Sequence, residues 1–203
     1  MTAIIQVKEY LKGIPVGKPF SSKALRPFAT TDNIRQILNR LVKAGKLNRV
    51  ARGVFVKPKH VKSVGEIPPS ATGIAELIAK STGEIISIHG AEAARKLELT
   101  TQVPMRPSFY TSGNTRILKI GNMRIKLKHV NPSKLIGAGT TPGLVLSALQ
   151  YLGKENVNTE IIKKIKHRIK EKEFKATINW IEHMPGWMAD AFYRYQQEEN
   201  HER

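Results

Sequence analysis

Apolar residues recur at helical spacing after Thr30, and this amphipathic segment has the clearest pattern in the chain. Its apolar stripe consists of Ile34, Ile37, Leu38, Leu41 and Val42. The other side is basic and rich in amides, with Asn33, Arg35, Gln36, Asn39, Arg40 and Lys43. A period of 3.6 residues predicts a helix with one buried face. Thr31 or Asp32 is expected to cap its start, and Gly45 to end it.

The next segment, residues 47–56, has the pattern of two short strands that turn at Arg52-Gly53. Upstream, the apolar positions Ile4, Ile5, Val7, Tyr10 and Leu11 predict a first helix over residues 2–11 with one packed side. A turn is expected at 17–20, followed by a short helix over 23–26 capped by Ser21 or Ser22. Three helices followed by a hairpin are typical of a winged helix-turn-helix domain, which we predict for residues 1–60.

Residues 61–69 lack periodicity and contain proline and glycine, so we predict a linker there. Beyond it, residues 70–203 are predicted to form an α+β domain with a small antiparallel sheet and C-terminal helices. Its expected helices cover 72–80, 90–99, 142–152 and 159–175, with two more inside 177–197 separated at Pro185-Gly186. Its expected strands cover 84–88, 108–112, 116–120 and 123–130, with turns at 112–114 and 121–122. The charged tail 196–203 is expected to fray.

Charge changes what this pattern implies. The 203 residues include 34 Lys and Arg against 16 Asp and Glu, a formal net charge of +18. Residues 1–60 hold 13 of these cations against Glu9 and Asp32, so this segment alone carries +11. Such a balance attracts polyanions, and nucleic acid is the first partner to consider. The sequence has no cysteine, which excludes disulfides and thiolate metal sites.

The polar side of the predicted helix suits duplex DNA. A helix fits the major groove, where Arg pairs with guanine and Asn or Gln with adenine, while a basic hairpin reaches phosphates. The predicted base contacts are Asn33, Arg35, Gln36, Asn39 and Arg40, and the predicted backbone contacts are Ser22, Lys23, Lys43, Arg49, Arg52 and Lys57. Thr31 is a further predicted DNA-binding residue. The plainer alternative is a surface helix whose charges are merely solvated.

Two stretches carry a resemblance to a known family. The segment KLNRVARGVFVKP and, more distinctively, SIHGAEAARKLELTTQVPMRPSFYTSGNTRILKIGNMRIKLKHV resemble the AbiEi-type antitoxins of type IV toxin-antitoxin systems. The resemblance covers roughly residues 34–152. It implies a winged domain that binds operator DNA and represses its own operon, joined to a C-terminal domain that counters a nucleotidyltransferase-type toxin. The end after about Gly153 is shorter and more basic than in that family.

The C-terminal domain offers a second candidate surface. Its polar members are His89, Gln102, Tyr110, Ser112, Arg116, Lys128 and His129. Such residues are compatible with phosphoryl transfer or nucleic-acid cleavage, but the acids Glu92 and Glu98 lie on a predicted helix and no metal-ligand spacing occurs. We therefore predict a protein that is not an enzyme, without metal or cofactor, and keep an RNA-binding or nucleic-acid-processing effector as the alternative.

Other features have plainer interpretations. The glycines of LIGAGTTPGLV predict a turn, because the segment does not match a phosphate-binding loop. The basic segment 159–175 predicts a solvated face, with phosphate or an acidic partner as the alternative. Trp180, Trp187, Phe192 and Tyr193 are expected in a small core or an interface. No apolar run or leader pattern is found, so we expect a cytoplasmic protein without a membrane partner. A dimer or several copies on DNA is an expectation from operator symmetry.

Overall fold

The computed structural model describes residues 2–63, 65–67, 69–120 and 123–201 and shows an α+β fold. The helices are α1 (Ala3–Gly13), α2 (Thr31–Lys43), α3 (Ala71–Thr82), α4 (Gly90–Lys96), α5 (Thr141–Leu152), α6 (Thr159–Arg168), α7 (Glu171–Ile178) and α8 (Gly186–His201). The strands are β1 (Pro19–Ser21), β2 (Asn48–Ala51), β3 (Val54–Val56), β4 (Lys59–Val61), β5 (Gly65–Ile67), β6 (Ile86–Ile88), β7 (Ser108–Thr111), β8 (Arg116–Ile120) and β9 (Met123–His129). The chain forms two compact units, Met1–Glu84 with Thr115–Leu127, and Ile85–Asn114 with Lys128–Arg203.

The first unit is built on an antiparallel sheet of order β1-β3-β2. Helices α1 and α2 and a 3-10 turn at Ser22–Leu25 complete its core. The buried core residues are Val7, Leu11, Phe20, Leu25, Ile34, Ile37, Leu38, Leu47 and Phe55. The predicted helix of α2 and the two strands after it are confirmed. The turn predicted at 17–20 is wrong in part, because Pro19 to Ser21 pair with β3 as a strand.

Helix α1 buries fewer apolar residues than its sequence predicts. Val7 and Leu11 are buried, but Ile4, Ile5 and Tyr10 remain 36%, 45% and 37% exposed. The prediction that all five share the packed side is therefore wrong. A helix that contacts its neighbours along one line buries residues at i and i+4 and leaves the flanking apolar residues partly open.

Residues predicted as a linker form structure instead. Strands β4 and β5 pair as an antiparallel hairpin within 59–67, while Val64 and Pro68 lie outside the described residues. Helix α3 then buries Ile74 and Ile78 and packs against β1. The compact units therefore do not coincide with the predicted domains 1–60 and 70–203, because α3 contributes its apolar face to the N-terminal sheet.

The hairpin of β8 and β9 also belongs largely to the first unit. Its register pairs Arg116 with Leu127 and Ile120 with Met123. Ile125 and Leu127 are fully buried, whereas Arg124, Lys126 and Lys128 are exposed, so buried apolar and exposed basic residues alternate along β9. The predicted turn at Gly121 and Asn122 lies outside the described residues.

The second unit combines the antiparallel pair β6 and β7 with helices α4 to α8. Helix α5 packs closely on α4, and its residues Val145 and Leu149 are fully buried in the core of the unit. The single helix predicted over 159–175 is wrong. Ile169 is extended with φ −116°, and Glu173 folds back to accept a hydrogen bond from the Lys170 amide, which starts α7. Ile169 packs against the core of the second unit.

The C-terminal segment is helical to His201, and Glu202 and Arg203 lie outside the described residues. The prediction of a fraying tail is wrong, because Lys163 and Lys166 of α6 form ion pairs with Glu198 and Glu199 of α8. Phe192 is fully buried, and Trp180 and Trp187 pack against the core, as predicted, but Tyr193 is 50% exposed. The turn predicted from the glycines is confirmed at 136–139. No helix in the described ranges combines the length and apolar character that crossing a bilayer requires.

Candidate nucleic-acid interface

A groove with a volume of about 520 Å³, here called the basic groove, lies within the first unit. Its walls come from α2, the 3-10 turn, the β2-β3 turn and the end of α3. The cations that line it are Lys23, Arg26, Arg35, Arg49 and Arg52. Ser21, Ser22, Thr31, Asn39, Ser81 and Thr82 supply its other polar side chains. None of the described residues that line it is acidic, so the groove concentrates positive charge.

Helix α2 is fixed at both ends. The Thr30 hydroxyl accepts a hydrogen bond from the Asn33 amide at 3.4 Å, so Thr30 is the N-cap rather than the predicted Thr31 or Asp32. At the other end Gly45 adopts φ +68°, and the Lys46 amide donates to the Leu41 carbonyl at 2.9 Å. This pattern satisfies the last carbonyls of the helix and confirms the predicted end at Gly45. The groove wall formed by α2 is therefore held firmly.

The β2-β3 turn is tied to the 3-10 turn. The Ser22 amide donates to the Gly53 carbonyl at 2.8 Å, and the Ser21 hydroxyl accepts from the Lys23 amide at 3.2 Å. Gly53 has φ +74°, and a β-carbon there would lie 3.2 Å from the Ser22 hydroxyl oxygen. Glycine is thus required both by the backbone and by the close approach. These hydrogen bonds hold the Arg52-Gly53 turn against the segment that carries Lys23.

The floor of the groove is apolar and belongs to the core. Ile34, Leu38 and Phe55 line it and are 4%, 1% and 5% exposed. At its edge, Lys23 donates a hydrogen bond to the Ser81 carbonyl at the end of α3. The cations of the groove thus surround an apolar floor that belongs to the packed core.

Seven of the twelve residues predicted to contact DNA meet in this groove. They are Ser22, Lys23, Thr31, Arg35, Asn39, Arg49 and Arg52. Four others, Asn33, Gln36, Arg40 and Lys43, are exposed along α2 but do not line the groove. Their spacing of three to four residues places them on an adjacent strip of the helix, away from the buried Ile34 and Leu38. The polar side of α2 therefore has two parts, one facing the groove and one facing outward.

Lys57 does not join this set. Its ammonium donates to the carbonyls of Ile14 at 2.6 Å and Lys12 at 3.3 Å. A cation at the C-terminal end of a helix satisfies free carbonyls and favours the helix dipole. The structure thus gives Lys57 a role in holding the end of α1.

Four polar residues of the groove, Ser21, Arg26, Ser81 and Thr82, were absent from the sequence prediction. Arg26 could have been found, because it is a cation at the end of the predicted second helix. Ser21 was considered only as a cap. Ser81 and Thr82 carried no signal, since they reach the groove only because α3 folds back onto the N-terminal sheet.

The first unit carries most of the positive charge of the molecule. Its residues include 19 Lys and Arg against five Asp and Glu, which gives +14 of the total +18. Among the described residues, one groove cation has a carboxylate partner: Arg35 forms a pair of 3.3 Å with Asp32. Both side chains are more than 70% exposed, so the pair is weak and leaves Arg35 available.

The second candidate surface is only partly assembled. His89 caps α4, with Nδ1 accepting from the Ala91 amide at 3.3 Å, and its ring centroid lies 4.7 Å from that of Tyr110. The Tyr151 ring lies 6.5 Å from the His89 ring, and its hydroxyl donates to the Gln102 side chain at 3.5 Å. Burial raises the pKa of the Tyr110 phenol. These contacts give His89 a structural role, since it caps the start of α4 and packs against two aromatic rings.

Two other predicted members of that surface, Ser112 and His129, form local hydrogen bonds. The Ser112 hydroxyl accepts from the Ile85 amide at 2.9 Å, and His129 Nδ1 lies 2.9 Å from the Gly113 carbonyl. Lys128 is exposed beside His129. Arg116 belongs to the first unit, where it pairs with Glu84 at 2.8 Å. Within the described residues, no three His, Asp or Glu side chains are grouped to hold a metal ion.

The comparisons with known proteins give a family but no activity. No curated protein shows a significant match to the chain. Among solved structures, the crystal structure of the RV2827C protein from Mycobacterium tuberculosis is 11% identical, with a TM-score of 0.44. The alignment covers 91% of this chain and 75% of that one. A family model described as a family of unknown function, DUF6088, matches residues 6–177. This match covers most of the chain, which therefore belongs to the DUF6088 family.

Proposed function

We propose that the chain is a DNA-binding transcriptional repressor whose first unit docks on duplex DNA. The order of α1, the 3-10 turn, α2 and the β2-β3 hairpin supports a winged helix-turn-helix, and we assign α2 as its recognition helix. The single observation that carries the proposal is the basic groove, in which five cations from separate elements converge without an acid among the described lining residues.

The division of α2 suggests which contact each residue makes. We assign the outward strip of Asn33, Gln36 and Arg40 to base edges in the major groove, because amide and guanidinium groups pair there bidentately. The groove wall with Arg35 and Asn39 faces the cations of the hairpin, so one phosphate strand would run between them. This differs from the sequence-based assignment, which gave Arg35 and Asn39 to bases.

Repression of its own operon and neutralisation of a nucleotidyltransferase-type toxin form the further part of the proposal. Support for them comes from the resemblance to AbiEi-type antitoxins over residues 34–152. Co-expression with the product of an adjacent nucleotidyltransferase reading frame tests the antitoxin role. Rescue of growth by the full chain is expected, and growth arrest despite equal expression would remove the antitoxin role while leaving DNA binding untouched.

The test of DNA binding uses variants in the hairpin. We expect Arg49→Ala and Arg52→Ala each to weaken binding to the upstream region and to random duplex alike, and to lower the slope of log K against log salt by about one. Lys154→Ala and Lys172→Ala, which remove exposed cations of the second unit, serve as matched controls and should leave the slope unchanged. Equal effects of the two pairs would mean that net charge, rather than the groove, attracts DNA.

A further inference from the structure

The β8-β9 hairpin presents a second basic surface in the first unit. Its register places Ile117 opposite Lys126 and Lys119 opposite Arg124. These four residues alternate with the buried positions of the hairpin and are all exposed, Ile117 to 55%. One face of the hairpin therefore shows three cations around a single exposed apolar side chain, here called the hairpin face.

The arrangement is unfavourable for the protein alone. Like charges directly opposite each other on neighbouring strands destabilise a sheet, and Lys119 and Arg124 are such a pair. Residues 115–128 contain no Asp or Glu that could offset them. Among the described residues, Lys119, Arg124 and Lys126 form no ion pair with a carboxylate. A polyanion on this face would relieve the repulsion, so its charge complements a phosphate backbone.

The hairpin face is held in place from behind. Ile125 and Leu127 are fully buried on the opposite side, and Arg116 at the start of β8 donates two hydrogen bonds to Glu84 at 2.8 and 2.9 Å. Strand β8 also contacts β2, the strand that carries Arg49 of the basic groove. The three cations are thus presented on a fixed support that adjoins one wall of the groove.

We propose that Lys119, Arg124 and Lys126 bind the phosphate backbone of the same duplex, outside the segment contacted by α2. This inference rests on the proposed function and extends it, because it adds a backbone contact from a part of the chain far from residues 1–60 in sequence. Contacts to phosphate fix the position of a protein on DNA without reading its sequence. The hairpin face would therefore raise affinity for every duplex and lengthen the footprint.

The first test compares two triple variants of the full chain. K119Q/R124Q/K126Q is expected to lower the salt slope by about 0.9 for each phosphate that is no longer neutralised, a total of about two to three, equally on the upstream region and on random duplex. The control K154Q/K164Q/K172Q removes the same charge from exposed positions of the second unit. It should keep the wild-type slope. Thermal melting of both variants shows whether either change affects the fold.

The second test measures chemical labelling of the wild-type chain. Lysine acetylation of the full chain is measured by mass spectrometry with and without the upstream duplex. Lys119 and Lys126 should be protected by DNA, while Lys172 should label equally in both samples. The inference is overturned if labelling of Lys119 and Lys126 does not change and the hairpin variant keeps the wild-type salt slope. If Arg49→Ala still weakens binding in that case, the proposed function stands and only this inference fails. If Arg49→Ala and the wild type behave alike, or if only single-stranded RNA protects these lysines, the proposed function is overturned as well.

Discussion

The cations of the basic groove differ in what else they do. Lys23 already donates to the end of α3, and Arg35 shares an exposed pair with Asp32. Arg26, Arg49 and Arg52 have no ion-pair partner among the described residues. A phosphate would therefore compete with no carboxylate at these three positions. Their side chains are expected to contribute most to the affinity for DNA.

Gln36 tests whether the outward strip of α2 contacts base edges. Its amide is exposed and does not line the groove. Gln36→Ala is expected to reduce the preference for the operator over random duplex by about 1 to 3 kcal/mol, because alanine cannot form the bidentate pairing with a base. Fluorescence anisotropy titrations of both duplexes at one salt concentration measure the difference. A reduction of the same size on both duplexes would show that Gln36 does not discriminate bases.

Lys57 provides the opposite case, a cation with a structural role. Lys57→Met keeps the aliphatic stem and removes the hydrogen bonds to the Ile14 and Lys12 carbonyls. The expected cost is about 1 kcal/mol of unfolding free energy, with the salt slope of DNA binding unchanged. Urea denaturation and binding titrations check the two parts. If the salt slope falls while the unfolding free energy stays the same, Lys57 contacts phosphate, as the sequence predicted.

At the level of elements, local signals predicted α2 and its hairpin well. The stripe of Ile34, Ile37 and Leu38 and the glycines at 45 and 53 suffice, because spacing and turn chemistry are local properties. Strand β1 was missed because three residues are too few to show a strand pattern, and it is recognised only from its pairing with β3. The break at Ile169 was missed because the apolar spacing continues across it. A cap formed by Glu173 overrides that pattern.

Gly53 tests how strictly the hairpin turn must hold Arg52. At φ +74° an alanine costs about 1 to 2 kcal/mol, and its β-carbon would also press on Ser22. Gly53→Ala is therefore expected to lower stability by at least that amount and to weaken DNA binding without any change in charge. Gly45→Ala is the control, since it has φ +68° and open space for a β-carbon. It should cost similar stability with less effect on affinity. If both variants lose the same affinity, DNA binding does not depend on the conformation of the β2-β3 turn.

At the scale of the whole molecule, the bounds of the compact units could not be predicted from the sequence. Helix α3 and the β8-β9 hairpin join the first unit through contacts with β1 and β2, which are distant in sequence. Periodicity predicts faces but not which face meets which. The overall balance of charge was predictable, because it depends on composition. Its concentration to +14 in one unit became clear only from the fold.

The division into these two units predicts that residues 1–60 do not fold stably on their own. A fragment of residues 1–60 lacks α3 and β8, which pack on β1 and β2 in the full chain. Burial of one large apolar side chain is worth about 1.5 to 3 kcal/mol, so removal of the α3 residues Ile74 and Ile78 is expected to destabilise the fragment markedly. Thermal unfolding followed by circular dichroism compares it with the full chain. Cooperative melting of the fragment at the same temperature would show that residues 1–60 fold alone.

The central claim is that the basic groove of the first unit binds the backbone of duplex DNA. The most direct measurement is the salt dependence of binding for the full chain and its R49A/R52A variant, on a duplex from the upstream region. The wild type is expected to lose affinity steeply as salt rises, and the variant to show a slope lower by about two, since each cation releases about one counterion. A binding constant that does not change with salt, or a variant whose slope equals that of the wild type, would contradict the claim.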